Sequence, residues 1–339
     1  LQGEDYVFEG EKFWCNFKNR KQNTSRKGNN MERNLPYRDY NSYLRELFGC
    51  RVHKITLDAG MTCPNRDGTK GFGGCIYCNA RGSGTGQWAL GKSIRQQLEK
   101  AKPYLKKRFK AEKFLAYFQS YSNTYAPLER LKAFYEEALS VEDVVGLTIG
   151  TRPDCVSPEV LDYLAQLSNN YYVCLEYGLQ SAHDSTLRLI NRGHDVQTFV
   201  EAVKETRSRN ITVCVHVIIG LPGESEEDML DTARFLAKLD IQAVKIHLLY
   251  VVKGTMLEKW YLEGKYRCLS REDYVRIVSR FIALLPPSIV IQRLTGDPHP
   301  EELVAPQWAL EKQQNLQAII NYMKNNGLTQ GSLLVENSH

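Results

Sequence analysis

The chain has 339 residues, room for one large α/β domain with extensions or for two modest domains. At 42% hydrophobic and 24% charged it can bury a core without disulfides, and its longest apolar runs are strand-sized, short of the roughly 18–20 residues of a membrane span. The net charge of +5 suits an acidic partner such as RNA without demanding one, and nine unevenly spaced cysteines behind no secretion signal read as reduced thiols of a cytoplasmic protein.

Residues 1–30 read as an unstructured or non-native tail, since Lys18 to Asn30 is polar, basic and aperiodic. Residues 31–51 read as an N-terminal extension. Apolar, β-branched or aromatic runs then fall at Val52–Leu57, Phe114–Phe118, Val144–Ile149, Tyr171–Tyr177, Ile211–Ile219 and Ala243–Tyr250. Helical periodicity separates them over 90–109, 127–139, 158–168, 196–208 and 226–239. Six βα units in series predict a parallel sheet, and the ~200 residues they occupy suit a partial (β/α)6 TIM-type barrel better than a complete eight-stranded one. The core is thus expected over 52–255. A helix near 271–285, a strand near 288–294 and a helix over 306–324 form a C-terminal extension, 256–325, ahead of a tail at 326–339.

The chemistry concentrates after the first strand, in Cys63-PNRDGTKGFGG-Cys75-IY-Cys78. Iron–sulfur clusters normally take four cysteines, so three thiolates on one loop leave one iron open to a small molecule. The glycines let backbone wrap closely around an inorganic core. The loop is also expected at the carboxyl end of a parallel strand, where barrel enzymes place their chemistry. The competing reading is a closed zinc site, which wants four ligands. The nearest candidates for a fourth, Cys50 and His53, fall at the opposite end of the strand.

With this loop go TRPDC (151–155), LEYGLQS (175–181), NRGH (191–194), HVIIGLPGE (216–224) and KIHLLYVVKGT (245–255). Together they resemble the radical S-adenosylmethionine (SAM) superfamily, its branch containing the Elongator catalytic subunit, and most closely a family of small bacterial proteins of the YhcC/YtqA type. The likeness runs from about residue 31 to about 324. It implies a radical SAM barrel and a [4Fe–4S] cluster on Cys63, Cys75 and Cys78. It also implies SAM cleavage to a 5′-deoxyadenosyl radical, fed by an electron donor such as flavodoxin or ferredoxin. For SAM contacts it points to Gln119, Ser120 and Thr124 after strand two, where relatives carry a glycine-rich turn that this chain lacks. It adds the pair Gln180 and Arg192, then Glu176, His216 and Gly220. Gly150 stands where relatives often have a glutamate. Cys155 could face the site, although a lone cysteine more often fills a core.

The resemblance makes tRNA the leading substrate, through side-chain maturation of the wobble uridine. Since these residues carry no acetyltransferase domain, trimming or rearranging a substituent already present fits better than acetyl transfer. Residues 92–113 hold nine Lys or Arg against two Glu, either a phosphate-facing helix or a solvated face. Two other classes stay open: a radical SAM enzyme of a small metabolite, and a non-catalytic, zinc-structured RNA-binding protein. The segment TGDPH (295–299) could close the open side of the barrel.

Overall fold

The computed structural model describes residues 35–79, 82 and 91–334; the tail expected at 1–30 lies outside them. Helix α1 (Tyr40–Phe48) leads into a repeating βα series. It runs β1 (Val52–Leu57), α2 (Ile94–Phe109), β2 (Lys113–Phe118), α3 (Leu128–Leu139), β3 (Val144–Thr151), α4 (Pro158–Leu167), β4 (Tyr172–Gln180), α5 (Asp184–Leu189), α6 (Val196–Ser208), β5 (Thr212–Ile219), α7 (Glu226–Ala237) and β6 (Ala243–Leu248). A short strand β7 (Val251–Val252), helices α8 (Met256–Leu262) and α9 (Arg271–Ala283), strands β8 (Val290–Arg293) and β9 (Leu303–Ala305), and helix α10 (Lys312–Asn325) complete it.

Seven parallel strands pair in the order β1-β2-β3-β4-β5-β6-β8, curled into a half-barrel with the helices outside. The six expected strands are all present. The seventh, expected only as part of an extension, joins the same sheet beside β6. The helices begin at strong local signals: Ser93 and Gln96 form a reciprocal cap on α2, and Ser225 and Asp228 do so on α7.

Strand alternation sorts side chains into two environments. Outward residues such as Phe114, Leu147, Leu175, Val215 and Val244 pack under the helices in the main core. Inward residues stack in layers. At the amino ends of the strands Val52, Leu115, Cys174, Cys214, Ala243 and Val290 form an apolar plug, sealed by Leu44 of α1. Two residues further along each strand the interior turns polar, with Lys54, Tyr117, Glu176, His216, Lys245 and Gln292. A third apolar cluster, including Ile76, Ile190, Ile218 and Leu257, fastens the cysteine loop to the carboxyl ends.

Several short elements escaped the sequence patterns: α1, α5, α8 and the antiparallel pair β7–β9. The helices run under three turns and the strands two or three residues, too brief for periodicity to register. The stretch read as a tail after 326 folds back in its described part. Gln330 is buried; it accepts from Arg38 N at 2.9 Å and donates to the carbonyls of Pro286 and Ile289 at 2.7 Å each.

Candidate active site

Thr62 ends the approach from β1, and its carbonyl accepts from Ser122 N, which ties the cysteine loop to the turn after β2. Within the loop, Arg66 N donates to Cys63 O, Gly74 N to Asn65 O and Cys78 N to Cys75 O. Gly73 and Gly74 have φ of 80° and 78°, and a Cβ on Gly74 would lie 2.9 Å from Arg66 Nε. Only glycine lets the chain fold that closely over Arg66. The Arg66 guanidinium in turn donates to Cys78 O at 2.7 Å.

The loop is also bolted to the connection after β4. Asn65 Nδ2 donates to Asn191 O at 2.6 Å, and Asn191 Nδ2 returns to Gly74 O at 2.9 Å. Arg192 is buried; its Nη2 donates to Gly178 O at 2.7 Å, and its Nη1 lies 3.7 Å from Cys75 Sγ. Gly178 makes this possible, since a Cβ there would sit 2.5 Å from Arg192 Nη2. Sequence reading passed over Gly178, whose signal was a glycine inside an apolar strand.

Cys63, Cys75 and Cys78 all line one cavity of 760 Å³ at the carboxyl ends of the strands. Gln119, Ser120, Glu176, Gln180, Arg192 and His216 line it too. The turn after β2 keeps a glycine-like shape without glycines: Ser120 and Tyr121 have φ of 78° and 61°. Asn123 Nδ2 holds it by donating to the carbonyls of Ser120 and Gly150. Left-handed backbone costs about 1–2 kcal/mol per such residue, so packing imposes this turn.

Two of the expected contact residues are not among those lining this cavity. Thr124 commits its hydroxyl to Thr151 Oγ1 and Cys155 O, both at 2.6 Å, and lines a neighbouring pocket instead. Gly220 turns the chain at φ 94°, and its backbone is consumed by Met229 Sδ and the Tyr266 hydroxyl. Cys155 also lines the neighbouring pocket, and burial pushes its thiol up to about 12, away from nucleophilic use. From the TGDPH segment, Asp297, Pro298 and His299 stand on the cavity wall.

Below the cysteines lies an ionic cluster that sequence reading recognised only through Glu176 and His216. Glu176, with no side-chain exposure, takes Lys54 Nζ on Oε1 at 2.6 Å and His216 Nε2 on Oε2 at 2.9 Å. Lys245 Nζ shares Oε2 and touches the Tyr117 hydroxyl at 3.1 Å. Burial alone would raise the Glu176 pKa; the ammoniums of Lys245 and Lys54 reverse this and hold it well below the usual range. Burial lowers Lys245 to about 8 and His216 to about 4. The missed signal was a lysine at an inward position of an apolar strand, at 54 and again at 245. Glu176, Cys214 and His216 also bring three ligand atoms within 4.8 Å of one another. Two ammonium groups already occupy the carboxylate, so a metal cation is electrostatically disfavoured there.

The donor set of the upper loop fits an iron–sulfur cluster. Three thiols from one loop face a common cavity, with the guanidinium of Arg192 beside Cys75 to offset thiolate charge. Cys50 and His53 stand at the amino end of β1, about 20 Å from the loop by strand rise, and cannot close a four-ligand zinc site with it.

A parallel half-barrel with three thiols on the loop after its first strand defines a class: enzymes that use SAM at an iron–sulfur cluster. Residues 63–236 match the Radical SAM superfamily, and residues 241–325 match the Radical_SAM C-terminal domain. The chain belongs to the radical SAM superfamily, whose members use a [4Fe–4S] cluster and SAM and need a reductant. It is 43% identical to YtqA of Bacillus subtilis over 295 residues, 87% of this chain and 92% of YtqA. It is 30% identical to a tRNA uridine(34) acetyltransferase of Dehalococcoides mccartyi over 170 residues, 48% of this chain and 36% of that protein. In structure it is similar to the archaeal Elp3 of Methanocaldococcus infernus, with a TM-score of 0.66 at 18% identity, covering 82% of this chain and 64% of that one. Among the described residues no helix is long and apolar enough to cross a membrane.

Proposed function

We propose that this is a cytoplasmic radical SAM enzyme that modifies the side chain of the wobble uridine of tRNA. The observation that carries the enzymatic part is the convergence of Cys63, Cys75 and Cys78 with Gln180, Arg192 and the turn at Gln119–Ser120 on one cavity. The cysteines would hold the cluster through their thiolates. When bound, the cluster and SAM supply a 5′-deoxyadenosyl radical that abstracts hydrogen from a substrate. Arg192 orients the Cys75 side of the loop, and the turn at Ser120–Tyr121 offers backbone groups to SAM. The walls at Asp297–His299 restrict water at the reacting centre. The electron donor is of the flavodoxin or ferredoxin kind.

The tRNA part is supported by the partial likeness to the tRNA uridine(34) acetyltransferase. The test is to incubate reconstituted enzyme, SAM and reductant with tRNA from a strain lacking the gene, then digest and weigh the nucleosides. A mass change confined to the wobble uridine is expected. An unchanged nucleoside profile, with radical chemistry proceeding on a small metabolite instead, contradicts the tRNA assignment.

A further inference from the structure

The cysteine loop has two sides. Cys75 and Cys78 line the cavity, while Ile76 between them does not. Ile76 packs instead in an apolar cluster with Leu187, Ile190 and Leu257. The backbone makes the same joint. Ile76 N donates to Ile190 O at 3.1 Å, and Ile76 O accepts from Leu257 N at 2.9 Å. The residue bonded to Cys75 is therefore clasped between the end of α5 and the start of α8.

Those two short helices bury part of their surface in this cluster and leave apolar side chains in solvent. Leu189, next to Ile190, is 45% exposed; Met256, next to Leu257, is 50% exposed, and Leu262 at the end of α8 is 73% exposed. They are three of the seven large apolar side chains exposed among the described residues, gathered on helices of six and seven residues. Exposed apolar groups concentrated in this way mark interaction sites. None of the three lines the cavity, so they do not face the reacting centre. The charge beside them is basic. Arg188 is exposed next to Leu189, and residues 253–267 carry Lys253, Lys259, Lys265 and Arg267 against Glu258 and Glu263.

We infer that this face is the docking site of the electron donor, a small acidic protein that carries one electron on a flavin or an iron–sulfur centre. The inference rests on the reading of Cys63, Cys75 and Cys78 as cluster ligands and on the superfamily's need for a reductant. Electron tunnelling falls off steeply with distance, and less steeply along bonds than across gaps. From Leu189 the route inward is the Ile190 carbonyl, one hydrogen bond and the Ile76 nitrogen, which is bonded to Cys75. From Met256 it is the Leu257 nitrogen, one hydrogen bond and the Ile76 carbonyl, two residues ahead of Cys78. An apolar centre with basic neighbours suits an acidic protein, steered by charge and seated by contact. Electron-transfer encounters need little area, under about 1,200 Å² in total. RNA gripped through its phosphates would need the cations at the centre instead. The donor gives up one electron, the cluster gains it, and no atom moves.

The test follows reconstituted holoenzyme by stopped-flow absorbance as it is reduced by a flavodoxin, by a ferredoxin or by dithionite. Calorimetry measures the binding of each oxidised carrier alongside. At least one carrier should bind wild type and reduce it, more slowly as salt rises. Met256→Glu and Leu189→Glu should each slow that carrier about tenfold or more and weaken its binding to match. Reduction by dithionite, and the 5′-deoxyadenosine formed with it, should stay as in wild type. Met256 opens α8, where a glutamate suits the helix dipole, and iron content checks that both variants are folded. Lys259→Glu should slow the carrier at low salt more than at high salt. Leu333→Glu, exposed beside the end of α9, should change nothing. The inference is overturned if the better carrier reduces both variants as fast as wild type, or if neither carrier binds and reduces wild type. It is also overturned if the variants lose affinity for an anticodon stem-loop and keep the carrier, because the face would then be an RNA contact. If wild type holds no cluster, or forms no 5′-deoxyadenosine even with dithionite, the reading of the cysteine loop fails and this inference falls with it.

Discussion

Glu176 holds the barrel interior together, because three polar neighbours depend on its two oxygens. Replacing it by Gln leaves Lys54 and Lys245 facing each other without a counter-charge. Breaking a buried pair from one side costs about 3–5 kcal/mol, so Glu176→Gln should lower urea-unfolding stability by that order. His216 gives a pH signature. Its folded pKa of about 4 lies below the ~6.5 of an unfolded histidine, so its contribution is full above pH ~6.5. It is lost as pH falls toward 4, by an amount on the order of 2–3 kcal/mol. Urea midpoints from pH 7 to 4.5 should fall, and His216→Gln should flatten part of that slope. A variant as steep as wild type would show that His216 is not the group titrating. At this scale the sequence made Glu176 and His216 visible as polar residues in apolar strands. It did not make their partners visible, because Lys54 and Lys245 come from other strands and meet Glu176 only through register.

At the level of elements, the critical joint is between the cysteine loop and the connection from β4 to α6. Gly193 sits there with φ 75°, and a Cβ on it would lie 2.3 Å from Asn65 Oδ1. Gly193→Ala should push Asn65 off Asn191 and loosen the loop. The expected result is iron and sulfide content well under half of wild type after reconstitution, with far-UV circular dichroism unchanged. Full cluster content would show that the joint is dispensable. The long strands and helices were legible because their periodicity runs over many residues, and the cysteine loop because its spacing is unusual. Thr124 shows what sequence leaves open: a hydroxyl after a strand end can face the site or cap a neighbouring turn, and here it bonds Thr151 and Cys155. The turn at Ser120–Tyr121 shows the converse, with its shape kept although the glycines that would announce it are missing.

Over the whole molecule, the basic end of α2 lies at the amino ends of the strands, opposite the cysteine loop. Half of the basic residues of α2 sit in its last turn, at Lys106, Lys107 and Arg108, where they complement the helix dipole. Lys102, Lys106 and Lys113 converge on Asp143, just ahead of β3, at the amino end of the barrel. That geometry favours the solvated-face reading of this helix over the phosphate-facing one. Exchanging Lys106, Lys107 and Arg108 for Gln should change affinity for an anticodon stem-loop by less than about twofold, and should leave the salt slope of binding intact. A drop of tenfold would restore the helix as an RNA contact. The central claim, that the chain is a SAM-cleaving enzyme with its cluster on Cys63, Cys75 and Cys78, is most directly tested by anaerobic reconstitution with iron and sulfide. Reductant and SAM are then added, and 5′-deoxyadenosine is quantified for wild type and for Cys75→Ala. The account predicts 5′-deoxyadenosine from wild type and none from the variant. A folded wild type that takes up one zinc, holds no cluster and yields no 5′-deoxyadenosine would contradict it.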